Sequence, residues 1–583
     1  MDVFERTVRA HGPKPALRVK RNGAWQTITW IDYHKQVRQV ARALISLGTQ
    51  PGQGVAIIGY NCPEWFFADI GSICAGAVPA GIYTTSSPEQ CEYIANHCEA
   101  AVVFVENQEQ LAKLLAVRGR LPALKAIVVM QGESSTPGVY GWTKFLELGL
   151  NAPEQELDKR IASQSPDAMA TLIYTSGTTG TPKAVMLTHD NLTWTAQTAI
   201  GLIGAKADEH VVSYLPLSHI AEQVASLHGP MAFGICVSFA ESLEKLGDAL
   251  RDVRPHYFLA VPRVWEKIQE RIMAAGAKNP PLKKKIAAWA RRRGLAGGYA
   301  EQQRVGKPLT YALANALVFK KVRKQLGLDC ARILVTSAAP ISRDTLEFFL
   351  SLGLPICEFY GMSECTGPAT ASLPDNYHTG KAGFCLPGAE LKIASDGEVC
   401  MRGRHVSKGY YKDTLATAEA IDNEGWLHSG DIGTIDSQGF LQITDRKKDL
   451  IITAGGENIA PALLEGYLKG IPVVSQAVVI GDRQRYLAVL LTLNAERIAV
   501  DAQACGSGAC DAETAAGDSK FLDFLQRQID GVNARLARVQ AIKKFKVIPR
   551  EFTIEGGELT PTMKVKRKVV TEKYKSEIEQ LYS

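Results

Sequence analysis

One stretch, residues 174–189 with the sequence YTSGTTGTPKAVMLTH, constrains this chain more than any other. An apolar run with strand character, Met169-Ala170-Thr171-Leu172-Ile173, leads into a loop of small residues, Thr175-Ser176-Gly177-Thr178-Thr179-Gly180, which Thr181-Pro182-Lys183 closes. Glycines let successive backbone N–H groups converge on one anion, hydroxyls add donors, and a lysine supplies a full charge. These are the parts of a phosphate cradle. The loop is not the P-loop of NTPases, because Pro182 rather than glycine precedes Lys183. Taken alone, a Ser/Thr/Gly run between a strand and a helix is usually a solvated turn. The partners that a phosphate site needs must therefore be sought elsewhere in the chain.

A chain of 583 residues is expected to form several domains rather than one core. Up to about residue 165, helical and strand-like patterns alternate. Residues 30–47 place Ile31, Val37, Val40, Ala41, Leu44 and Ile45 at helical spacing, and Gly48 ends the run. Residues 54–58, 101–105 and 126–130 read as buried strands, and 63–82 as an apolar helix. Such alternation predicts an α/β fold with a parallel sheet. From Gly397 the pattern changes to short strands punctuated by glycine, which suits a small β-barrel or meander. Residues 500–520 are small and polar without periodicity, and are expected to be a mobile insertion.

The charge is uneven. The net charge is +6, yet residues 251–330 hold eighteen Lys and Arg against five Asp and Glu. Lys283-Lys284-Lys285 and Arg291-Arg292-Arg293 lie in a helical-looking stretch around Trp289. This is either a solvated helix face or a surface for anionic headgroups or ligand phosphates. No nucleic-acid-binding motif accompanies the charge, so nucleic acid is not an expected partner. The start has charges throughout and no apolar core of a secretory signal. No apolar run approaches the ~20 residues that a spanning helix requires. The twelve cysteines form no CxxC pair, so neither a zinc site nor a disulfide framework is indicated. A cytoplasmic protein is expected, with membrane contact limited to peripheral docking through the basic region 263–326.

Downstream of the loop, two further motifs carry chemistry in their residue types. An apolar run over residues 332–336 leads to Ser337-Ala338-Ala339-Pro340, small enough for a flat ring to approach the backbone. Glu358-Phe359-Tyr360-Gly361-Met362-Ser363-Glu364 offers an aromatic ring, a hydroxyl and a carboxylate, which suits stacking on a base and binding of a phosphate-bound Mg²⁺.

With these partners in order, TSGTTGTPK resembles the signature loop of the adenylate-forming (AMP-binding) superfamily, which includes acyl-CoA synthetases, luciferases and peptide-synthetase adenylation domains. VPRVWEKI at residues 261–268, the basic insertion, and GIYTTSSPEQ at residues 81–90 are similar to long-chain fatty acyl-CoA synthetases of the bubblegum type. The resemblance implies a large N-terminal adenylation domain over residues 1–447, with parallel α/β subdomains and a small β-barrel. It also implies a smaller, mobile α+β domain over residues 448–583, with its hinge at Lys448. ATP and AMP would be held by Thr175, Ser176, Gly177, Thr178, Thr179, Gly180, Lys183, Ser337, Ala338, Tyr360, Gly361 and Ser363. WLHSGD places Asp431 on the ribose, and DRKKD places Arg446 on the nucleotide. The resemblance further implies Mg²⁺ on Glu364 and Thr175, His219 beside the acyl pocket, and Gly455 and Gly456 along the coenzyme A channel.

The family's catalytic lysine falls on Lys564, with Lys566 as its rival. Relatives usually have glycine before that lysine, and this chain has Met563. Four residues after His219, where some long-chain relatives carry a gating tryptophan, stands Gln223. The implied reaction joins a fatty acid, ATP and coenzyme A through an acyl-adenylate. Alternatives are an acyl-AMP ligase that loads a carrier protein, a synthetase for a shorter or aromatic acid, and a non-catalytic lipid-binding scaffold. Chain length and oligomeric state are not legible in these residues.

Overall fold

The computed structural model describes residues 1–175, 181–454, 457–560 and 563–583. Its first layer is a seven-stranded sheet in the order Val139–Gly141, Ala126–Val129, Val102–Val105, Gly54–Ile58, Val78–Ile82, Met169–Thr175 and Lys183–Thr188. All neighbours run parallel except the last pair. Gly54–Ile58 and Val102–Val105 are buried along their whole length, as strands covered on both faces must be, and so read as continuous apolar runs. The expected single helix over 63–82 is instead the helix Pro63–Cys74 followed by the strand Val78–Ile82. Gly76, with φ +79°, makes the turn between them.

A second sheet sets Tyr257–Ala260, Ile333–Thr336 and Ile356–Met362 parallel, then adds Gly367–Ala371 and Phe384–Cys385 antiparallel. A third joins His210–Ser213 and Cys236–Phe239 to the N-terminal hairpin of Pro15–Arg21 and Ala24–Thr29. The glycine-punctuated region forms an antiparallel meander of Glu390–Ile393, Glu398–Arg402, Leu427–Ile435 and Leu441–Arg446.

Beyond residue 450 the chain builds its own cores around the three-stranded sheet Val474–Ile480, Leu487–Leu493 and Ile542–Val547. Here one expectation fails. Most of residues 500–520 is helical, within Ala495–Cys505, Ala512–Gly517 and the start of Ser519–Asn533, with a short link over 506–511. Their small residues are small because Ala502, Ala509 and Ala515 pack into the core with Phe521 and Leu525. Their polar residues are caps: Asp511 accepts the Thr514 N–H at 2.8 Å and Asp518 the Phe521 N–H at 2.8 Å.

Candidate active site

The strand Lys183–Thr188 is the scaffold of the site. On one edge it pairs with Met169–Thr175, and on the other the segment 408–411 bonds to it, Met186 N–H to Gly409 O at 2.9 Å and Tyr411 N–H to Ala184 O at 2.8 Å. At its end Thr188 and Asn191 cap the helix His189–Leu202 reciprocally. The Asn191 amide also donates to Arg404 O at 2.7 Å and Val406 O at 3.0 Å. One cap therefore ties strand, helix and the loop after Arg402 together.

That arrangement brings Tyr410 over the strand. Its hydroxyl donates to Glu364 Oε1 at 2.8 Å, and Lys183 Nζ lies 4.8 Å from the centre of its ring. Glu364 is buried on the short turn Ser363–Cys365, and its carbonyl accepts the Ser407 N–H at 2.8 Å. Thr175, at the end of its strand, donates to Lys183 O at 3.3 Å.

Asp431 lies opposite Arg446 in the antiparallel meander, and Arg446 Nε donates to its Oδ1 at 3.0 Å. Its other oxygen accepts the Tyr360 hydroxyl at 2.8 Å. Tyr360 and Gly361 lie at a register shift in the strand Ile356–Met362. A Cβ on Gly361 would stand 1.8 Å from Gly367 O, so only glycine lets these strands approach as they do.

The C-terminal region supplies Lys564. Its N–H donates to Thr560 Oγ1 at 3.0 Å and its carbonyl accepts the Thr560 N–H at 2.8 Å. Burial pushes the Lys564 ammonium down to about 8, with Arg446 adding repulsion while Asp431 and Glu364 pull the other way. The rival, Lys566, donates its N–H to Glu558 O. Met563, immediately before Lys564, has φ +62°, a conformation that favours glycine. The position usually occupied by glycine is thus one that glycine would occupy without strain.

His219 caps the turn Ile220–Glu222, its Nδ1 accepting the Ala221 N–H at 3.1 Å. The neutral ring then carries its proton on Nε2. Burial, and then the charge of Lys564, lower it to about 4, so it is uncharged at neutral pH. It borders an apolar cavity whose lining also includes Ile200, Val224, Val335, Ser337, Phe359 and Gly361. Ala338 lines it too, with φ +76°. Gln223 is fully buried, donates to Leu217 O at 2.9 Å, and is not part of the lining. The π-helix Gln223–His228 presents Val224 and Ala225 to the cavity instead.

The structure therefore gathers Lys183, Tyr360, Glu364, Asp431, Arg446 and Lys564 into one electrostatic neighbourhood, with His219, Ser337, Ala338 and Gly361 along the adjoining cavity. Ser363 is buried on the same turn as Glu364. Lys448 lies on the turn Lys447–Asp449 between the two parts of the chain, its ammonium lowered by burial and by Arg446. Ser176, Gly177, Thr178, Thr179, Gly180, Gly455 and Gly456 lie outside the described residues.

Three contributors were not singled out from the sequence. Tyr410 sits far from Lys183 in the chain and carries no local signal. Glu222 is buried, its Oε1 accepting from Ser213 and Ser226 hydroxyls, both at 2.7 Å, and from the Tyr214 N–H at 3.1 Å, and burial raises it to about 7. It fixes the strand end before His219. Gly81 lies in the strand Val78–Ile82, where the sequence suggested helix, and a Cβ there would stand 2.6 Å from Ser218 Cα, beside His219.

Sequence comparison decides the family. The model of the AMP-binding enzyme family matches residues 4–411, and that of the AMP-binding enzyme C-terminal domain matches residues 448–583. This chain belongs to the AMP-binding enzymes. Among curated relatives of this family member, the long-chain-fatty-acid–CoA ligase ACSBG2 of Xenopus laevis is 44% identical over 613 residues, covering 100% of this chain and 83% of the relative. Its counterpart in Homo sapiens is 39% identical over 614 residues, covering 100% and 92%. Among solved AMP-binding structures, the anthranilate CoA ligase AuaEII in complex with anthranoyl-AMP superposes with TM-score 0.75 at 20% identity, covering 99% of this chain and 97% of that one. The adenylation domain of the carboxylic acid reductase of Segniliparus rugosus, in complex with AMP, gives TM-score 0.76 at 20% identity, covering 99% and 93%. These likenesses establish the fold.

Proposed function

We propose that this AMP-binding enzyme is a long-chain fatty acid–CoA ligase, converting fatty acid, ATP and coenzyme A to acyl-CoA, AMP and pyrophosphate. The observation that carries the reading is an apolar cavity sharing its lining residues Ser337 and Gly361 with the strand ends beside the Tyr360–Asp431–Arg446 cluster. An acyl tail fits the cavity, and a nucleotide fits the cluster. The naming of full-length relatives as long-chain-fatty-acid–CoA ligases supports the chain class.

In the first half-reaction a carboxylate oxygen of the acid attacks the α-phosphorus of ATP, and the bond to the bridging oxygen breaks to release pyrophosphate. The difficulty is an anion approaching a polyanion, so charge neutralisation is the main requirement. Lys183 and the loop of Ser176, Gly177, Thr178, Thr179 and Gly180 hold the departing phosphates, and Lys564 meets the reacting centre. Asp431 turns from Tyr360 and Arg446 to the ribose hydroxyls. Glu364 and Thr175 are hard oxygen donors of the kind Mg²⁺ takes, and the ion would neutralise phosphate charge there. His219, neutral, borders the carboxylate end of the acid as a wall and hydrogen-bond donor, not as a base.

In the second half-reaction the coenzyme A thiol loses its proton, its sulfur attacks the acyl carbon, and the bond to AMP breaks. Residues 448–583 turn about Lys448, which withdraws Lys564 and brings Gly455 and Gly456 to line the path of the pantetheine arm. A fatty acid is an amphiphile, and peripheral contact of the cationic 263–326 region with a membrane belongs to the same reading. The test is incubation with ATP, Mg²⁺, coenzyme A and acids of graded length, scored for acyl-CoA by mass. Acyl-CoA formed best from long-chain acids supports the assignment. Adenylate without thioester, or preference for short or aromatic acids, overturns it.

A further inference from the structure

The basic region folds as a helical hairpin. The helix Pro281–Gln302 packs against a second helical run made of Leu309–Ala314, the π-helix Asn315–Phe319 and Lys320–Leu326. The packing is close. A Cβ on Gly297 would stand 2.3 Å from Tyr311 Cδ2, and one on Gly294 would stand 2.0 Å from Ser351 O, so the hairpin is seated on the fold rather than appended to it. Tyr299 adds a hydroxyl bond to Glu347 Oε1 at 2.5 Å.

The second run is apolar on two faces. One face, with Ala314 and Phe319, is buried against Trp289 and Ala290. The other exposes Leu309, Leu313 and Leu317 at helical spacing, to 96%, 53% and 47% respectively. Val305, in the loop between the helices, is 55% exposed. A helix that buries one apolar face and exposes another has a surface in need of a cover.

What covers it is indicated by charge. The same run continues into Lys320, Lys321 and Lys324, and the neighbouring helix carries Lys283, Lys284 and Lys285. None of these six lysines forms an ion pair with an acidic residue among the described residues. Lys320, Lys321 and Lys324 follow the exposed leucines along the same run, and unpaired cations so close together repel one another in water. They are stabilised where anionic phosphates and an apolar layer meet. No described helix is long and apolar enough to cross a membrane, so the contact lies in the interface.

We propose that this hairpin docks the enzyme on an anionic lipid bilayer, with Leu309, Leu313 and Leu317 entering the boundary of the acyl layer and the flanking lysines meeting headgroup phosphates. The proposal rests on the reading of peripheral membrane contact and names its surface. None of these residues belongs to the cavity or the nucleotide cluster, so docking and chemistry are separable.

The test is flotation of the full-length enzyme with vesicles of phosphatidylcholine alone, and with vesicles in which roughly one third is phosphatidylglycerol. Wild type is expected to float with the anionic vesicles, and to be released by salt. The triple variant Leu309→Ser, Leu313→Ser, Leu317→Ser is expected to lose about tenfold or more in partitioning, while activating a fatty acid in free solution as wild type does. Leu309→Asp alone, at the most exposed position, gives a second readout should the triple variant fold poorly, and it too is expected to weaken flotation. Wild type that floats with neither vesicle overturns the membrane reading itself. Wild type that floats while both variants float equally well overturns this surface. Leucine-dependent dimerisation, or retention on RNA, without vesicle binding assigns the face to another partner and overturns the proposal.

Discussion

Asp431 and Arg446 face one another across the meander, and their side chains meet at 3.0 Å, with the Tyr360 hydroxyl closing on the other carboxylate oxygen at 2.8 Å. The pair holds an acidic acceptor in place at the strand ends, and the proposed function has it exchange these protein donors for the two hydroxyls of a ribose. Asp431→Asn keeps the shape and removes the charge. We expect kcat/KM for ATP to fall by about a hundredfold, the scale of a lost donor or acceptor at a reacting centre. Because Asp431 is buried while Arg446 is partly exposed, the cost in folding is moderate, about 1–3 kcal/mol. Steady-state kinetics beside thermal unfolding separates the two. A variant that loses stability but keeps its KM for ATP would count against the ribose role.

The role proposed for Lys564 divides the reaction in two. The charges of Arg446, Asp431 and Glu364 act on it, and its own charge acts on His219. Lys564→Ala is expected to lower adenylate formation by about 10²–10³-fold, while thioester formation from supplied acyl-AMP is largely retained. Lys566→Ala should do neither. Equal loss in both half-reactions on changing Lys564 would refute the division of labour.

The proton on Lys564 provides a pH signature. Its folded value, about 8, lies below its ordinary 10.5, so between these values the folded enzyme binds fewer protons than the unfolded chain. The ligand-free enzyme therefore gains stability from this group as pH rises from about 8 toward 10.5, and below about 8 it bears the full cost of the buried charge. A bound triphosphate favours the ammonium and raises its pKa. ATP binding just above pH 8 should take up a fraction of a proton, and Lys564→Met should abolish that uptake. Calorimetry in two buffers of different ionisation enthalpy measures it, and the same uptake in both proteins would rule Lys564 out as its source.

Met563 adopts φ +62° immediately before that lysine. A non-glycine residue in this region costs about 1–2 kcal/mol, partly offset by the greater freedom glycine has when unfolded. Met563→Gly is expected to keep activity and to leave stability equal or higher by up to about 1 kcal/mol. Met563→Val, β-branched at positive φ, should be destabilising. Denaturant unfolding of both variants checks the sign, and a Met563→Gly protein clearly less stable than wild type would contradict it.

Local chemistry made much of the fold legible. The apolar strands 54–58 and 101–105, alternating with helical patterns, announced a parallel sheet, and their burial on both faces is why they are apolar throughout. The motifs around Lys183 and Glu364 showed their chemistry within a few residues, whereas Asp431 and Lys564 were picked out only by resemblance to the family. What was hidden is long-range. Tyr410 reaches Glu364 only because the 408–411 segment bonds to the edge of Lys183–Thr188, and nothing near Tyr410 encodes that edge. Residues 500–520 misled for a different reason. Alanines chosen for close packing and acids chosen as caps have the composition of a disordered linker, and only the helix they cap tells them apart.

In the proposed reaction a fatty carboxylate is activated as an adenylate before it meets coenzyme A. The direct measurement uses a long-chain fatty acid labelled with ¹⁸O in both carboxylate oxygens, incubated with the enzyme, ATP, Mg²⁺ and coenzyme A, with the products read by mass. Attack of the carboxylate on the α-phosphorus leaves one ¹⁸O in AMP for each acyl-CoA formed, and none in pyrophosphate. Acyl-CoA accompanied by unlabelled AMP, or by ADP and labelled phosphate, would contradict the account.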